Sequence, residues 1–242
     1  MAGPEAGPGT SRSNPDVGLL YEINGVAKDA PAWVDRIVGF VGEYGLLLAM
    51  VLLVLWAWRT VRRGPDAETS VAALVWAPLA AGLAVLVNVP IREFVERRRP
   101  FLDHQGLEVL VDGKTDFSFV SDHATLAMAL GVGLFVAHRK LGLVGIGLAL
   151  LEGVCRVYMG VHYPTDVIGG FALGTAVTLL LAPLAMVLLT PLTKAIGRAP
   201  RASWLVRARG ARPVVTDPVG LPGPRVEGAS ASGESDENDL AA

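Results

Sequence analysis

Residues 71–91 read VAALVWAPLAAGLAVLVNVPI, and residues 92–100 continue directly as REFVERRRP. The first stretch carries no charged side chain and is long enough to cross a bilayer, since a spanning helix needs about 20 mostly apolar residues. The second stretch is dense in arginine. An apolar block of this length that ends in a charged cluster is typical of a transmembrane helix. We therefore expect an integral membrane protein.

Four further apolar blocks flank this one along the chain, and the five together predict an all-α, polytopic membrane helix bundle. The chain has 242 residues, 52% of them hydrophobic, and a formal net charge of -2 that does not suggest nucleic-acid binding. Its single cysteine excludes an intrachain disulfide and a cysteine-based zinc site. The oligomeric state stays open. The predicted spans are residues 37–58, 71–91, 122–138, 141–158 and 166–190.

Both ends of the chain are more polar than the middle. Residues 1–16 are rich in Gly, Pro and Ser, which predicts disorder, and they lack the basic start and apolar core of a signal peptide. Residues 17–36 predict an amphipathic helix at the membrane interface, with Trp33 near the headgroups; if they crossed the bilayer instead, the spans would number six. The predicted organisation is an N-terminal segment over 1–35, a membrane domain over 36–193 and a disordered cytoplasmic tail over 194–242.

The short loops predict how the bundle is oriented. Their basic residues fall on one side of the membrane if five spans are present, and the positive-inside rule makes that side cytoplasmic, together with the C-terminus. We expect a multi-pass protein of the cell membrane. The arginines between 92 and 99 lie on the opposite, extracytoplasmic side, against the rule, and anion binding would explain them. The basic residues counted are Arg59, Arg62, Arg63, Arg139, Lys140, Lys194, Arg198, Arg201, Arg207, Arg209 and Arg212.

Three clusters of reactive side chains map to that outer face. Arginine binds phosphate oxygens through parallel hydrogen bonds. Ser121 stands where an N-cap belongs, so the backbone N–H groups after it would point at an anion. His162 precedes Asp166 by four residues, and a carboxylate there can accept the imidazole N–H and fix its tautomer. The clusters are residues 92–100, 121–123 and 156–166.

Two histidines, one carboxylate and three arginines are together suited to phosphoryl transfer without a metal. The charge on a transferring phosphoryl group is spread over its oxygens, where arginines and helix N–H groups can stabilise it. One imidazole would attack phosphorus and the other would protonate the leaving oxygen. Each element alone also has a structural interpretation. We expect Glu43 and Glu152, inside spans, to be structural polar contacts; no role is assigned to Asp103, His104 and Asp116.

Three motifs carry a family resemblance: Arg92-x6-Arg99-Pro100, then Val120-Ser121-Asp122-His123, then Cys155-Arg156-x5-His162-x3-Asp166. With this order and spacing, the sequence resembles the type 2 phosphatidic acid phosphatase superfamily, whose pattern is K-x6-R-P, P-S-G-H and S-R-x5-H-x3-D. The resemblance covers residues 92–166. Here arginine replaces the lysine, valine the proline, aspartate the glycine and cysteine the serine. The S-D-H form resembles the bacterial undecaprenyl-diphosphatase branch.

The resemblance implies a role for each motif residue. His162 would be the nucleophile that forms a phosphohistidine, Asp166 would orient and activate it, and His123 would protonate the leaving group and then activate water. No cofactor or metal is implied, and the partners are a lipid phosphate and the bilayer. The phosphate would be held by Arg92, Arg99, Arg156 and Ser121, with the backbone N–H of Asp122.

Three functions remain open at this point. The first is hydrolysis of undecaprenyl diphosphate to the monophosphate. The second is hydrolysis of phosphatidic acid or phosphatidylglycerol phosphate in the same site, since the phosphate-binding residues do not read the lipid tail. The third is a non-catalytic lipid-phosphate binder or a transport protein, against which stands the presence of both histidines and the aspartate.

Overall fold

The computed structural model describes residues 14–111 and 113–208, and the expectations for residues 1–13 and 209–242 fall outside this range. The described residues form helices and contain no strand. The elements are α1 (Pro15–Asp29), α2 (Ala32–Phe40), a π-helical turn (Val41–Gly45), α3 (Leu46–Val61), α4 (Ala67–Val95), α5 (Pro100–Asp103), α6 (Asp122–Ala137), α7 (Arg139–Tyr158), α8 (Pro164–Arg198) and a 3-10 turn (Ser203–Leu205).

The predicted all-α membrane bundle is confirmed, with one difference in the spans. Four helical segments are long and apolar enough to cross a membrane: Ala32–Val61, Ala67–Asp103, Arg139–Tyr158 and Pro164–Arg198. The fifth predicted span corresponds to α6, which has only 16 residues and a length of about 24 Å. That length is short of the roughly 30 Å hydrocarbon core.

Helix α6 lies at the centre of the bundle. It packs against α3, α4, α7 and α8, and a helix that is apolar on all sides is one that other helices surround. Glycines allow the close contacts: a Cβ on Gly174 of α8 would lie 2.5 Å from the carbonyl oxygen of Thr125 in α6. Small residues at such crossings let backbones approach within a membrane.

The N-terminal segment is a helix, α1, that packs on one end of the bundle. Asn14 caps it by accepting a hydrogen bond from the Asp16 N–H, and Pro15 occupies the first turn. Its buried face contacts α7 and α8. Residues 32–36, which were predicted to belong to the interfacial segment, instead form the start of the first spanning helix. The backbone is extended at Pro31, which is the N-cap of α2, so the new helix begins at Ala32.

The opposite end of the bundle is closed by residues 199–208. Trp58 donates its indole N–H to the Leu205 carbonyl at 2.8 Å, and Arg207 donates to the Glu68 carboxylate at 2.6 Å. Val206 is buried in the same region. Helix α8 thus passes the predicted domain boundary at residue 193, and residues 194–208 are an ordered part of the bundle rather than of a disordered tail.

Candidate active site

The three sequence clusters meet at one end of the bundle, as the topology argument predicted. Arg92 lies in the last turn of α4, Ser121 caps α6, and Asp166 lies in the first turn of α8. The start of α6 is tied to the start of α8 by a hydrogen bond of 3.1 Å from the Ser121 N–H to the Asp166 carbonyl. The capping of these two helices therefore sets the distance between the clusters.

A cavity of about 120 Å³ opens at this end. Five of the eight predicted site residues line it, and the other three do not reach it. The lining residues are Arg92, Arg99, Lys114, Asp116, Phe117, Val120, Asp122, His123 and His162.

The His162 imidazole has a defined tautomer. Its Nδ1 lies 2.9 Å from the Ser118 carbonyl oxygen, and because a carbonyl only accepts, Nδ1 must carry the proton. The lone pair is then on Nε2, which lies 3.3 Å from the Arg99 guanidinium. The residue is only 5% exposed. An unprotonated nitrogen is thus held at the cavity wall beside a phosphate-binding group.

Asp166 is a more distant partner of His162 than the sequence predicted. The Asp166 Oδ2 atom lies 3.6 Å from His162 Nδ1, which is too long for a hydrogen bond. The carboxylate accepts instead from the Tyr163 N–H at 2.9 Å and from Arg97 at 2.7 Å. The hydrogen bond to the imidazole is therefore made by Ser118, and Asp166 holds the turn that carries His162 through its contact with the Tyr163 N–H.

Arg92 and Arg99 converge on a single carboxylate. Asp116 accepts from Arg92 at 2.6 Å through Oδ2 and from Arg99 at 2.7 Å through Oδ1. Arg99 is also anchored by its donation to the Val161 carbonyl at 3.0 Å. Two oxygens of one anion therefore span both guanidinium groups, which is the geometry that a phosphate group would adopt there.

Two departures from the family pattern contact each other. Arg92, in the place of a lysine, forms an ion pair with Asp122, in the place of a glycine. Asn88, one turn earlier in α4, donates to the other Asp122 oxygen at 2.7 Å and to the Val120 carbonyl at 2.9 Å. The two replacements are therefore structurally linked, because the Asp122 carboxylate positions the Arg92 guanidinium.

Arg156 lies behind the cavity rather than in it. It is fully buried and pairs with Glu43 at 2.9 Å and with Glu152 at 3.0 Å, and it also donates to the Gly42 carbonyl. Its guanidinium is therefore not among the groups that line the cavity, and the predicted contact between Arg156 and phosphate stays a prediction. Two carboxylates hold it because an arginine in the bundle interior requires charge partners.

Glu43 is the site residue that sequence reasoning undervalued. It lies in the π-helical turn of the first spanning helix, a feature that is often found at functional sites. Its carboxylate accepts from Lys114 at 2.8 Å and lies 4.0 Å from His123 Nε2. The only signal for Glu43 in the sequence was its position as an acidic residue inside a predicted span. That position does not indicate which residue it contacts.

The remaining predicted residues have structural positions. The Ser121 hydroxyl is buried and caps α6 by accepting from the Ala124 N–H at 3.4 Å. Cys155 is buried in an apolar cluster with Leu46 and Met159, so it does not take over the phosphate contact of a family serine. Within residues 14–111 and 113–208, no group of three or more His, Cys, Asp or Glu side chains is arranged to hold a metal ion.

The charge states at the cavity follow from burial and from the arginines. His162 lies in the turn between α7 and α8, outside the spanning helices, and burial lowers the pKa of its imidazole below the ordinary value of 6.5, although Asp166 opposes this shift. Burial alone would raise the pKa of Asp116, but the hydrogen bond and charge of Arg99 lower it below 3.8. At neutral pH the imidazole is neutral and the carboxylate is ionised.

The comparisons with known proteins agree with this description. The sequence profile of the PAP2 superfamily matches residues 70–191. The bacitracin transport permease protein BcrC of Bacillus licheniformis is 30% identical over 153 residues, which are 63% of this chain and 71% of that protein. The undecaprenyl-diphosphatase BcrC of Bacillus subtilis is 29% identical over 137 residues, covering 56% and 67%. The phosphatidylglycerophosphatase B of the same species is 36% identical over 107 residues, covering 40% and 50%.

The family profile spans half of the chain and includes all three motif segments. It confirms the resemblance drawn from those motifs and the expectation of a membrane phosphatase. The chain therefore belongs to the PAP2 superfamily.

Proposed function

We propose that this protein hydrolyses undecaprenyl diphosphate to undecaprenyl phosphate and inorganic phosphate through a phosphohistidine at His162. The observation that carries the proposal is the orientation of His162, whose unprotonated Nε2 lies at a cavity walled by Arg99, Arg92 and His123. The substrate assignment rests on the name of the undecaprenyl-diphosphatase relative and on the S-D-H motif.

The reaction proceeds in two balanced steps. In the first, His162 Nε2 attacks the terminal phosphorus, the P–O bond to the bridging oxygen breaks, and its electron pair stays on that oxygen, which His123 protonates. In the second, His123 removes a proton from water, the water oxygen attacks the phosphohistidine, and the P–N bond breaks. Arg92 and Arg99 hold the phosphoryl oxygens in both steps.

Arg156 and Asp166 are positioning residues in this mechanism. Arg156 fixes Glu43, which lies beside His123. Asp166 fixes the turn that carries His162, and its negative charge stabilises the positive charge that the imidazole acquires on attacking phosphorus. Ser121 and the backbone N–H of Asp122 set the start of α6, whose N-terminal dipole favours an anion.

We place the site on the extracytoplasmic face of the cell membrane and the C-terminus in the cytoplasm. The support is the basic cluster at the end opposite the cavity, where Arg59, Arg62 and Arg63 precede α4 and Arg207 packs on Glu68. A site on the outer face suits a diphosphate lipid that is left on that side by wall synthesis.

The test of the function is phosphate release by the purified protein in detergent with EDTA. Undecaprenyl diphosphate and phosphatidic acid are assayed in parallel, with His162→Ala as the inactive control. We expect EDTA-resistant release that is faster on the diphosphate. Release that EDTA abolishes would contradict the mechanism, and absence of release from either lipid would favour a binding or transport role.

A second candidate substrate is phosphatidylglycerol phosphate, because one relative is named a phosphatidylglycerophosphatase. The phosphate-binding arginines serve either substrate equally. Including phosphatidylglycerol phosphate in the same assay decides between them, since the substrate with the higher kcat/KM identifies the branch.

Replacing Asp116 with alanine should strengthen inhibition by inorganic phosphate by about tenfold. The Asp116 carboxylate spans Arg92 and Arg99, so a phosphate that binds both guanidinium groups must replace it. The measurement is the inhibition constant of phosphate. Asp103→Ala is the matched control, since Asp103 pairs with Arg98 at 2.9 Å and does not line the cavity; weaker inhibition in Asp116→Ala would show that the carboxylate organises the arginines instead.

The acid limb of the pH profile should lie below pH 6.5, the ordinary imidazole value, because burial lowers the pKa of His162. A lowered pKa keeps the nucleophile neutral as pH falls, and activity is lost only when pH falls through that lower value. The measurement is kcat/KM against pH. Asp166→Asn removes the opposing carboxylate and should move the limb to still lower pH, a shift that titration of the substrate cannot cause; an unmoved limb would refute the assignment.

A further inference from the structure

Lys114 is a cation at the cavity that belongs to none of the three motifs and that the mechanism above does not use. It lines the cavity from the outer loop between α5 and α6. Its Nζ donates to Glu43 Oε1 at 2.8 Å, and its side chain is 23% exposed. An ammonium group has three donors, and among the described residues Glu43 is the one side-chain acceptor that Lys114 contacts. Donors therefore remain for a ligand in the cavity.

Two sets of contacts line the cavity. In one set the Arg99 guanidinium lies 3.3 Å from His162 Nε2, so the phosphorus under attack must lie against this nitrogen. In the other set Lys114 and His123 share one partner: Glu43 Oε1 is 2.8 Å from the lysine Nζ and 4.0 Å from the His123 Nε2. His123 must reach the bridging oxygen in order to protonate it. Lys114, which shares Glu43 with this proton donor, is therefore the candidate to contact the group that follows the bridging oxygen.

The group after the bridging oxygen is where the two substrate classes differ. In a phosphate monoester it is a carbon atom, and the leaving group is a neutral alcohol once protonated. In a diphosphate it is a second phosphate, which carries its own negative charge both before cleavage and after the bridging oxygen is protonated. A cation at this place stabilises only the second kind of leaving group.

We propose that Lys114 binds the phosphate that stays on the lipid, and that it thereby selects diphosphates over monophosphates. The inference rests on the proposed function for its reaction. In the first step the His162 Nε2–P bond forms, the bridging P–O bond breaks, and its electron pair stays on the bridging oxygen, which His123 protonates, while the Lys114 ammonium binds the charged oxygens of the phosphate that stays on the lipid. Glu43 holds the ammonium in place from the side of the first spanning helix.

The discriminating experiment uses two substrates with the same tail, farnesyl diphosphate and farnesyl monophosphate. The enzymes are the wild type, Lys114→Met, Lys114→Arg and, as the matched control, Lys140→Met, which removes the same charge from the first turn of α7. We expect Lys114→Met to lower kcat/KM by about a hundredfold on the diphosphate and by less than about threefold on the monophosphate. Lys114→Arg should keep most of the preference, and Lys140→Met all of it.

An equal loss on both substrates, or no loss on either, would overturn the proposal. Binding gives a second readout that does not need turnover. In the His162→Ala background, Lys114→Met should weaken binding of farnesyl diphosphate more than that of farnesyl monophosphate. Turnover by the wild type tests the proposed function. The change in the ratio of the affinities for farnesyl diphosphate and farnesyl monophosphate tests the role of Lys114. Either proposal can therefore be refuted without the other.

Discussion

Replacing His162 with alanine should lower kcat for phosphate release by at least about a thousandfold, because the substitution removes the atom that forms the covalent bond. The His162 imidazole is held by the Ser118 carbonyl through Nδ1 and faces Arg99 through Nε2. Among the residues that the structure describes, no other histidine contacts both Ser118 and Arg99. The measurement is single-turnover and steady-state phosphate release on undecaprenyl diphosphate, with the thermal midpoint of unfolding to verify the fold.

The matched control for this variant is His104→Ala. His104 lies at the same end of the bundle, where its ring contacts Tyr21 and Tyr163 at centroid distances of 6.1 and 5.8 Å, but it does not line the cavity. We expect His104→Ala to retain activity within about threefold. If His162→Ala kept a tenth or more of the wild-type kcat, a different nucleophile would be required.

Replacing Arg99 with alanine should lower kcat/KM by about a thousandfold, the second largest effect. Arg99 is 4% exposed and contacts both the His162 Nε2 and the Asp116 carboxylate, which stands where we propose that the phosphate binds. Arg99→Lys should restore only part of the rate, since an ammonium cannot reproduce two parallel hydrogen bonds. The measurement is kcat/KM for the three enzymes on the same substrate.

Arg98 supplies the comparison for Arg99, because it is the same residue type one position earlier in the chain. Its side chain is 63% exposed and pairs with Asp103, so it contributes little to the cavity. Arg98→Ala should therefore stay within about twofold of the wild type. Equal losses in the two variants would mean that the 97–99 cluster acts through its total charge and not through the geometry of Arg99.

The sequence was sufficient to predict which segments form the site, because topology and motif spacing are both readable along the chain. Counting apolar blocks and basic loops places 92–100, 121–123 and 156–166 at one end of the bundle, and these segments do meet there. The segment lengths were less predictable. Helix α6 shows why, since hydropathy does not distinguish a short helix that is surrounded by others from one that crosses alone.

The partners of the site residues were the part that the sequence did not reveal. Arg156 carries the same motif signal as Arg99, yet Glu43 and Glu152 bind it behind the cavity. Asp166 has the right spacing to His162, but a backbone carbonyl, that of Ser118, accepts the hydrogen bond from the imidazole instead. Backbone acceptors and contacts between distant spans leave no pattern in a single sequence, so such pairings require coordinates.

Glu43 and Lys114 illustrate the same limit. They are separated by a long stretch of chain and come from a spanning helix and from the loop between α5 and α6, yet their side chains lie 2.8 Å apart. Nothing in their local sequence indicates this contact. A charged residue inside a span did predict a partner of some kind, but the partner and its place beside His123 follow only from the packing of the first spanning helix.

The most direct test of the account is to trap the enzyme during turnover. Wild-type protein is mixed with a prenyl diphosphate labelled at its terminal phosphate, quenched within the first turnover and separated from free label. We predict a covalently labelled chain whose label is lost in acid and stable in alkali, as expected for a phosphohistidine, and no label in His162→Ala. Full release of labelled phosphate with no labelled enzyme at any time, or a label that persists in His162→Ala, would contradict the histidine nucleophile.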